Sequence, residues 1–339
     1  MATNHIAPNQ TWIVDRFRPE DALGVTELFR AVYGDGYPIR KFIDPDLLIE
    51  ENRANKTVSS VVRTSRGDIV GHNAIFHSAP SDRIFESGAG LVHRHYRGGK
   101  GIFTALGKHG IQLAVEEFQA SAIWGEPVCN HIFAQKAIQS VGWKTFAVEV
   151  DLMPAAAYVQ EESAAGRVST LMMFDEFTPR QHPVFLPSVY EKWLRTLYTK
   201  LSAPRDVSVS TTAPRSGLSS NLEIQVFDFA QVVRIIVHKI GADFSAVFAN
   251  KQADAVNQKT VVFQVWLPLS DPATGWAVDR LRQQGYFFGG LLPRWFNDDG
   301  LLVQKTLHPP AWETIRLADE WSLKILDMAK TDWERVQPR

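Results

Sequence analysis

Apolar and polar positions along the first half of the chain follow two rhythms. Residues 11–17 alternate with the period of two that marks a half-buried strand. Pro19-Glu20-Asp21 then opens a helix, because proline suits a first turn and acids suit its positive end. Leu23, Leu28, Phe29 and Val32 recur at helical spacing until residues 34–38 break it. A second short helix begins at Asp44-Pro45 and ends near Asn55. Three strand-like runs follow at 57–64, 68–78 and 85–93, the first two joined by the turn Ser65-Arg66-Gly67-Asp68. After a glycine-rich loop, 102–117 reads as a helix with Ile102, Ala105, Leu106, Leu113 and Ala114 on one face. A buried strand at 121–128, a short helix at 132–141 stopped by Gly142, and strands at 143–153 and 166–177 complete the unit.

Residues 179–220 read as a connector, with a helix at 187–201 and a Pro/Ser/Thr-rich surface loop from 203. Strands are predicted near 222–227 and 232–237, the latter also compatible with a helix. A helix at 243–255, a buried strand at 260–269 and a helix at 271–284 follow. A strand pair at 286–292 and 301–306 and a helix at 312–329 close the pattern. Residues 260–306 repeat the plan of 121–177: strand, short helix, Gly-aromatic (Gly142-Trp143 and Gly285-Tyr286), strand, strand. High identity does not accompany the repeat, so it is a structural echo.

A chain of 339 residues suits two domains. The divisions expected are 1–178, a connector at 179–220, and 221–339. A charged fraction of 22% and a net charge of −1 point to an ordinary globular protein with no broad attraction to nucleic acid or membrane. The single cysteine, Cys129, excludes a disulfide within the chain and argues against a cysteine-based zinc site, so no metal is expected. The first residues show neither an apolar run nor a basic cluster, and no window approaches the roughly 20 apolar residues of a membrane span. A cytoplasmic location is the resulting expectation.

The chemistry concentrates in the run 91–106, where a strand ends, Arg97-Gly98-Gly99-Lys100-Gly101 follows, and a helix begins. Successive N–H groups in such a turn point into one concavity, and the helix start adds positive potential. Glycines admit a diphosphate close to the backbone, and Arg97 and Lys100 supply counter-charge. A plain tight turn remains an alternative, since a glycine loop alone is a weak signal. A dinucleotide fold would place a G-x-G-x-x-G loop after its first strand, which this chain does not do.

This segment resembles the pyrophosphate-binding motif of the GNAT acyltransferase superfamily, and element order agrees over about residues 11–153. The resemblance implies an α+β fold: two GNAT-like domains, each a mixed, largely antiparallel sheet flanked by helices, the second degenerate because it lacks a loop like 97–101. It implies that the fourth and fifth strands splay and that the pantetheine arm of acetyl-CoA or another acyl-CoA pairs around Leu91, Val92 and His93. Gly98, Gly99, Gly101 and Ile102, with Arg97 and Lys100, would hold its pyrophosphate. The sequence departs from the pattern in its extra glycine and in carrying Ile138 where many members place a tyrosine that reprotonates the thiolate.

Acyl transfer to an amine needs a base and an acid. Glu126, at the end of the predicted fifth strand, is the first candidate base, with a salt-bridged surface carboxylate as the alternative. Glu86 on the fourth strand is the second. His131 is a candidate acid or substrate ligand, or a residue that only caps the following helix. Asn130 is expected near the cofactor and as the cap of that helix. Tyr33, Asp35 and Tyr37 are expected to line the acceptor pocket. Cys129 has no activating partner in the sequence and reads as a buried thiol. Arg294, Trp295, Asp298 and Asp299 form a polar turn, either an exposed hairpin or part of the pocket. The expected function is N-acyl transfer from acyl-CoA to a small-molecule amine. The alternatives are a non-catalytic acyl-CoA sensor or scaffold, which Ile138 favours, and an aminoacyl-tRNA-dependent transferase, against which the net charge and the loop argue. The oligomeric state is open.

Overall fold

A computed structural model describes residues 6–34, 37–99, 101–154, 166–256 and 259–337. The strands of the first half are β1 (Trp12–Arg16), β2 (Thr57–Thr64), β3 (Ile69–Phe76), β4 (Ile84–Val92), β5 (Ala122–Gly125), β6 (Lys144–Pro154) and β7 (Arg167–Glu176). Its helices are α1 (Ala22–Tyr33), α2 (Pro45–Arg53), α3 (Ile102–Glu116) and α4 (Phe133–Gln139). Then come β8 (Pro183–Pro187), α5 (Glu191–Tyr198), β9 (Asp206–Ser210), β10 (Asn221–Phe227), β11 (Val232–Lys239) and α6 (Phe244–Ala255). The chain continues through β12 (Val262–Pro268), α7 (Thr274–Gln283), β13 (Phe287–Phe296), β14 (Asp298–Thr306) and α8 (Glu320–Val336).

Twelve strands form one sheet in the order β1-β2-β3-β4-β5-β7-β6-β13-β14-β12-β11-β10. The block β3-β4-β5-β7-β6 and the block β10-β11-β12-β14-β13 have the same order, and in each only the central pair, β4/β5 or β11/β12, is parallel. A parallel pair needs a crossover, which α3 and α6 supply. The echo between 121–177 and 260–306 is therefore one of topology.

The two blocks meet where Gly290 of β13 pairs with Ala147 of β6. Gly290 has φ +143°, and a Cβ there would lie 2.3 Å from the Phe146 carbonyl oxygen, so only glycine allows the strands this close. Beside the seam, Trp295 packs edge-on against Trp124 of the first half and Trp266 of the second, with ring centroids 4.7 Å apart in both pairs. All three indoles are buried. Each buries on the order of 200 Å², so one apolar core spans both halves.

Several predicted elements differ. The stretch read as a surface loop from 203 contains β9, which pairs in parallel with β8. Its alternation Val207, Val209 against polar neighbours is a strand pattern that the surrounding Pro and Ser obscure. The connector helix is shorter, residues 191–198 after a 3-10 turn. Residues 232–237 are strand, as β-branched Val and Ile favour. The last helix begins at Glu320, capped by Asp319, whose side chain accepts from the Ser322 N–H. Trp312 lies instead in a separate 3-10 turn. Leu23 is exposed on α1, outside its buried stripe.

Candidate functional site

The site starts from a parting of strands. β4 and β5 pair only through Ile84–Ala122, Phe85–Ile123 and Glu86–Trp124. β5 ends at Gly125, while β4 continues six residues further to Val92 along β3. Pro127 has no N–H to continue a ladder. The β4 backbone also bulges: His72 opposes Leu91 and Ala74 opposes Gly88, leaving Ala89 and Gly90 across from Asn73 alone. Ala89 sits at φ +52°, a left-handed conformation that needs support. His72 supplies it, with Nδ1 2.9 Å from the Ala89 carbonyl and Nε2 3.0 Å from the Ser59 hydroxyl. Burial pushes the His72 pKa down to about 4, so the ring is neutral at neutral pH. Nδ1–H then donates to the carbonyl and Nε2 accepts from Ser59.

At the open end of the gap, Gly98, Gly99 and Gly101 take φ +84°, +86° and +71°. A Cβ on any of them would meet nothing within 4 Å, so the glycines serve the left-handed backbone and not a lack of room. Among the described residues, no hydrogen bond of the protein engages the N–H of Gly98, Gly99 or Gly101, whereas Arg97 N–H donates within its own turn. The Arg97 Nε donates to the Val92 carbonyl at 2.8 Å, tying the loop to the end of β4. Burial, with the neighbouring charges of His95, Arg94 and Arg97, lowers the His93 pKa. Free amides, exposed cations and the start of α3 make an anion-binding concavity. Lys100 lies outside the described residues, as does Asp35.

One cavity of about 1130 Å³ runs from this loop through the gap. It is lined by Leu91, Val92, Arg97, Gly98, Gly99, Gly101 and Ile102 at one end and by Tyr33 and Tyr37 at the other. Glu86, Glu126 and His131 also border it, and so does Ile138. Tyr33 and Tyr37 stack at 4.8 Å between centroids, and Tyr37 packs on Phe29 at 4.9 Å, giving the far end a fixed aromatic wall. His93 and Asn130 do not line the cavity. Asn130 does not cap α4 either: the N-cap is Ile132, without a side-chain cap.

The two cavity carboxyls differ from surface acids. Burial raises Glu86 to about 7, opposed by the Ser78 hydroxyl and by Arg234 and Lys41, and reinforced by Glu149. Burial raises Glu126 well above the carboxylate range, and the negative charges of Glu149 and Glu86 add to this. The shift favours the protonated form of Glu126, which suits it to an acid's part beside the base's part that the sequence suggests. Among the described residues, no three His, Cys, Asp or Glu side chains converge to hold a metal ion. Burial, with Glu149 nearby, pushes the Cys129 thiol far up, leaving it a neutral core group.

Glu149 and Arg234 were not singled out from the sequence. Each interrupts an apolar strand, in Val148-Glu149-Val150 and Val233-Arg234-Ile235, and Gln264 does the same in Phe263-Gln264-Val265. A polar residue at a fully buried strand position demands partners, and that was the available signal. The turn with Arg294, Trp295, Asp298 and Asp299 is neither exposed hairpin nor pocket. Trp295 is core, and Asp299 is buried against Arg205 at 2.8 Å and His182 at 3.3 Å.

No family model and no curated protein matches the chain. It is similar to solved structures that each span about half of it. Spermidine/spermine N-acetyltransferase SpeG from Vibrio cholerae has 12% identity, covering 49% of this chain and 95% of that one, with TM-score 0.39. Ribosomal-protein-S5-alanine acetyltransferase from Vibrio fischeri has 13% identity, with coverage of 50% and 97% and TM-score 0.39. An acetyltransferase assigned to the GNAT family, from Desulfovibrio desulfuricans, has 15% identity, with coverage of 49% and 99% and TM-score 0.38. Overlap this partial decides nothing about chemistry; the strand order, the parted parallel pair and its echo in the second half give the chain an α+β arrangement of two five-stranded blocks that share one plan.

Proposed function

We propose that the first half transfers an acyl group from acyl-CoA to the amine of a small molecule. The observation that carries this reading is the gap between β4 and β5, ending in a loop whose amides at Gly98, Gly99 and Gly101 have no partner among the described residues. The loop amides and Arg97 would hold the diphosphate, and the β4 edge from Ser87 to Val92 offers backbone groups to the pantetheine arm. The acyl group would reach the bulge near Ala89, and the amine would enter between Tyr37 and Glu86. Glu86, with a pKa near neutrality, takes a proton from the amine as nitrogen attacks the thioester carbonyl. When the tetrahedral intermediate collapses, the C–S bond breaks and the departing thiolate takes a proton. Glu126 is the donor that stands in for the tyrosine replaced by Ile138. His131 contributes to the acceptor end, and 1–178 and 221–339 are the working divisions of the chain.

A sensor that binds acyl-CoA without chemistry would need no carboxyls in its cavity held towards their protonated forms, which favours the enzyme. The test is thermal shift with acetyl-CoA, longer acyl-CoAs and CoA, and thiol release against a panel of amines. Stabilisation by acyl-CoA that disappears in Gly101→Glu is expected; Arg97→Glu serves should that variant fail to fold. Stabilisation without thiol release across the panel would convert the reading to a sensor, and no stabilisation would remove it.

A further inference from the structure

The second half has no cofactor loop, yet it reaches the cavity of the first through one row of polar side chains. Arg234, Gln264 and Gln304 are register partners across β11, β12 and β14. Beyond its pairing with Gly290, β6 leaves β13 and passes over this row. Gln304 takes the place of a missing strand there: its Oε1 accepts the Val150 N–H at 2.8 Å and its Nε2 donates to the Val148 carbonyl at 2.9 Å. Glu149, between those residues, has no solvent exposure. Its Oε1 accepts from Gln264 Nε2 at 2.6 Å and faces Arg234 Nη2 at 3.5 Å, and its Oε2 accepts from Thr170 at 2.9 Å. Arg234 is itself fixed, with Nε donating to Gln264 Oε1 at 2.9 Å and its guanidinium 4.2 Å from the centre of the Trp266 ring.

Gln264 Nε2, Thr170 Oγ1 and Arg234 Nη2 all face Glu149, which holds its carboxylate as an acceptor beside Glu126. The interaction of the two carboxyls favours the protonated form of Glu126. The charged and titratable groups acting on Glu126 are Glu149, Glu86 and Arg234. Those acting on Glu86 are Arg234, Glu149 and Lys41. His131 borders the same cavity, and the neutral Cys129 lies beside Glu149. Arg234 is the cation common to both carboxyls, and it comes from the other half of the molecule.

We propose that Arg234 is a positioning residue for acyl transfer: through Gln264 and Glu149 it orients the Glu126 carboxyl at the edge of the cavity. The second half is then a functional part of the site. This rests on the acyltransferase reading above. Removing a full charge from so buried a cluster moves a neighbouring carboxyl by on the order of one pH unit.

The experiment compares wild type with Arg234→Met, Arg234→Lys and Gln264→Met on two readouts. The first is the pH profile of kcat/KM with an accepted amine. Arg234→Met should move its acidic limb up by about one pH unit and lower the value at pH 7 about fivefold, with recovery at higher pH and unchanged KM for acyl-CoA. Arg234→Lys should restore the limb. Gln264→Met, which breaks the bridge but leaves the charge, should lower kcat with little movement of the limb, and it serves alone should Arg234→Met fail to fold. The second readout is the infrared carboxylic-acid band of glutamate, which needs no activity. At pH 7 wild type should show a protonated carboxyl that Glu126→Gln removes, and Arg234→Met should show an additional one. Bands that behave so in a protein without transferase activity would leave the network standing and remove the acyltransferase reading. Transferase activity whose pH limb and carboxyl bands ignore Arg234 would overturn this proposal alone.

Discussion

The two halves share a strand order and differ at its centre. In the first, the parallel pair holds for three residue pairs and then parts around a cavity. In the second, β11 and β12 stay paired from Val232–Val262 to Ile236–Trp266, and among the described residues no run of glycine amides follows. Their buried charges differ in the same sense. His72, Glu86 and Glu126 are each held by burial away from their charged forms. Asp299 in the second half is also buried, but its contacts with His182 and Arg205 outweigh burial and lower it to about 2. The cavity of the first half carries unfavourable electrostatics where a ligand could use it, whereas Asp299 carries satisfied charge that stabilises the fold.

The largest effect that would break this contrast is on activity. Glu86→Gln should lower kcat/KM for acyl transfer by about 10²–10⁴-fold while leaving acyl-CoA-induced stabilisation intact. An unimpaired variant would make Glu86 a structural acid, no different from those of the second half.

Next is the seam. Trp295→Ala removes an indole shared by both halves and should cost about 3–5 kcal/mol in denaturant unfolding. The transition should remain single. A two-step transition in which only residues of the second half unfold first would show that the halves are separate cooperative units.

Stability against pH sharpens the contrast further. His72 has a folded pKa of about 4 against 6.5 for the free group, so its contribution is complete above pH 6.5 and is lost as pH falls towards 4. Glu86 runs the other way. With a folded pKa of about 7 against 4.5, its contribution is present below pH 4.5 and is lost as pH rises to 7. Either gap corresponds to about 3 kcal/mol at most, so the two oppose each other across pH 4.5–6.5. Glu86→Gln should therefore be the more stable protein at pH 7, by up to about 3 kcal/mol, with stability that rises from pH 4 to 6.5. Asp299 contributes above pH 3.8 and loses its share as pH falls towards 2, so Asp299→Asn should flatten only that acid limb. Urea midpoints across this pH range measure both.

The smallest effect is a control. Asp44 caps α2 by accepting from the Leu47 N–H, and Asp319 caps α8 in the same way. Asp44→Ala and Asp319→Ala should each cost about 1 kcal/mol at neutral pH. Unequal losses would mean that the halves differ in general stability and not at the parted strands alone.

Local signals accounted for most elements of the first half. The turn residues 65–68, the acid-capped Pro45 helix and the stop at Gly142 are encoded within a few residues of where they act. The glycine loop was legible for the same reason, since left-handed positions at 98, 99 and 101 leave few alternatives to glycine. The β9 strand was not, because its partner β8 and its packing lie elsewhere in the chain.

The sequence alone thus determined where strands and helices alternate, which loop could take an anion, and that residues 121–177 and 260–306 share a plan. Tertiary structure decided the rest. It placed Glu86 and Glu126 where burial and neighbouring charges raise both, joined the halves through Gly290, and brought Arg234 and Glu149 together from positions 85 residues apart. Hydrophobic period and turn chemistry are properties of neighbours in sequence, whereas the ionisation of a buried group depends on every charge and dipole that folding places around it.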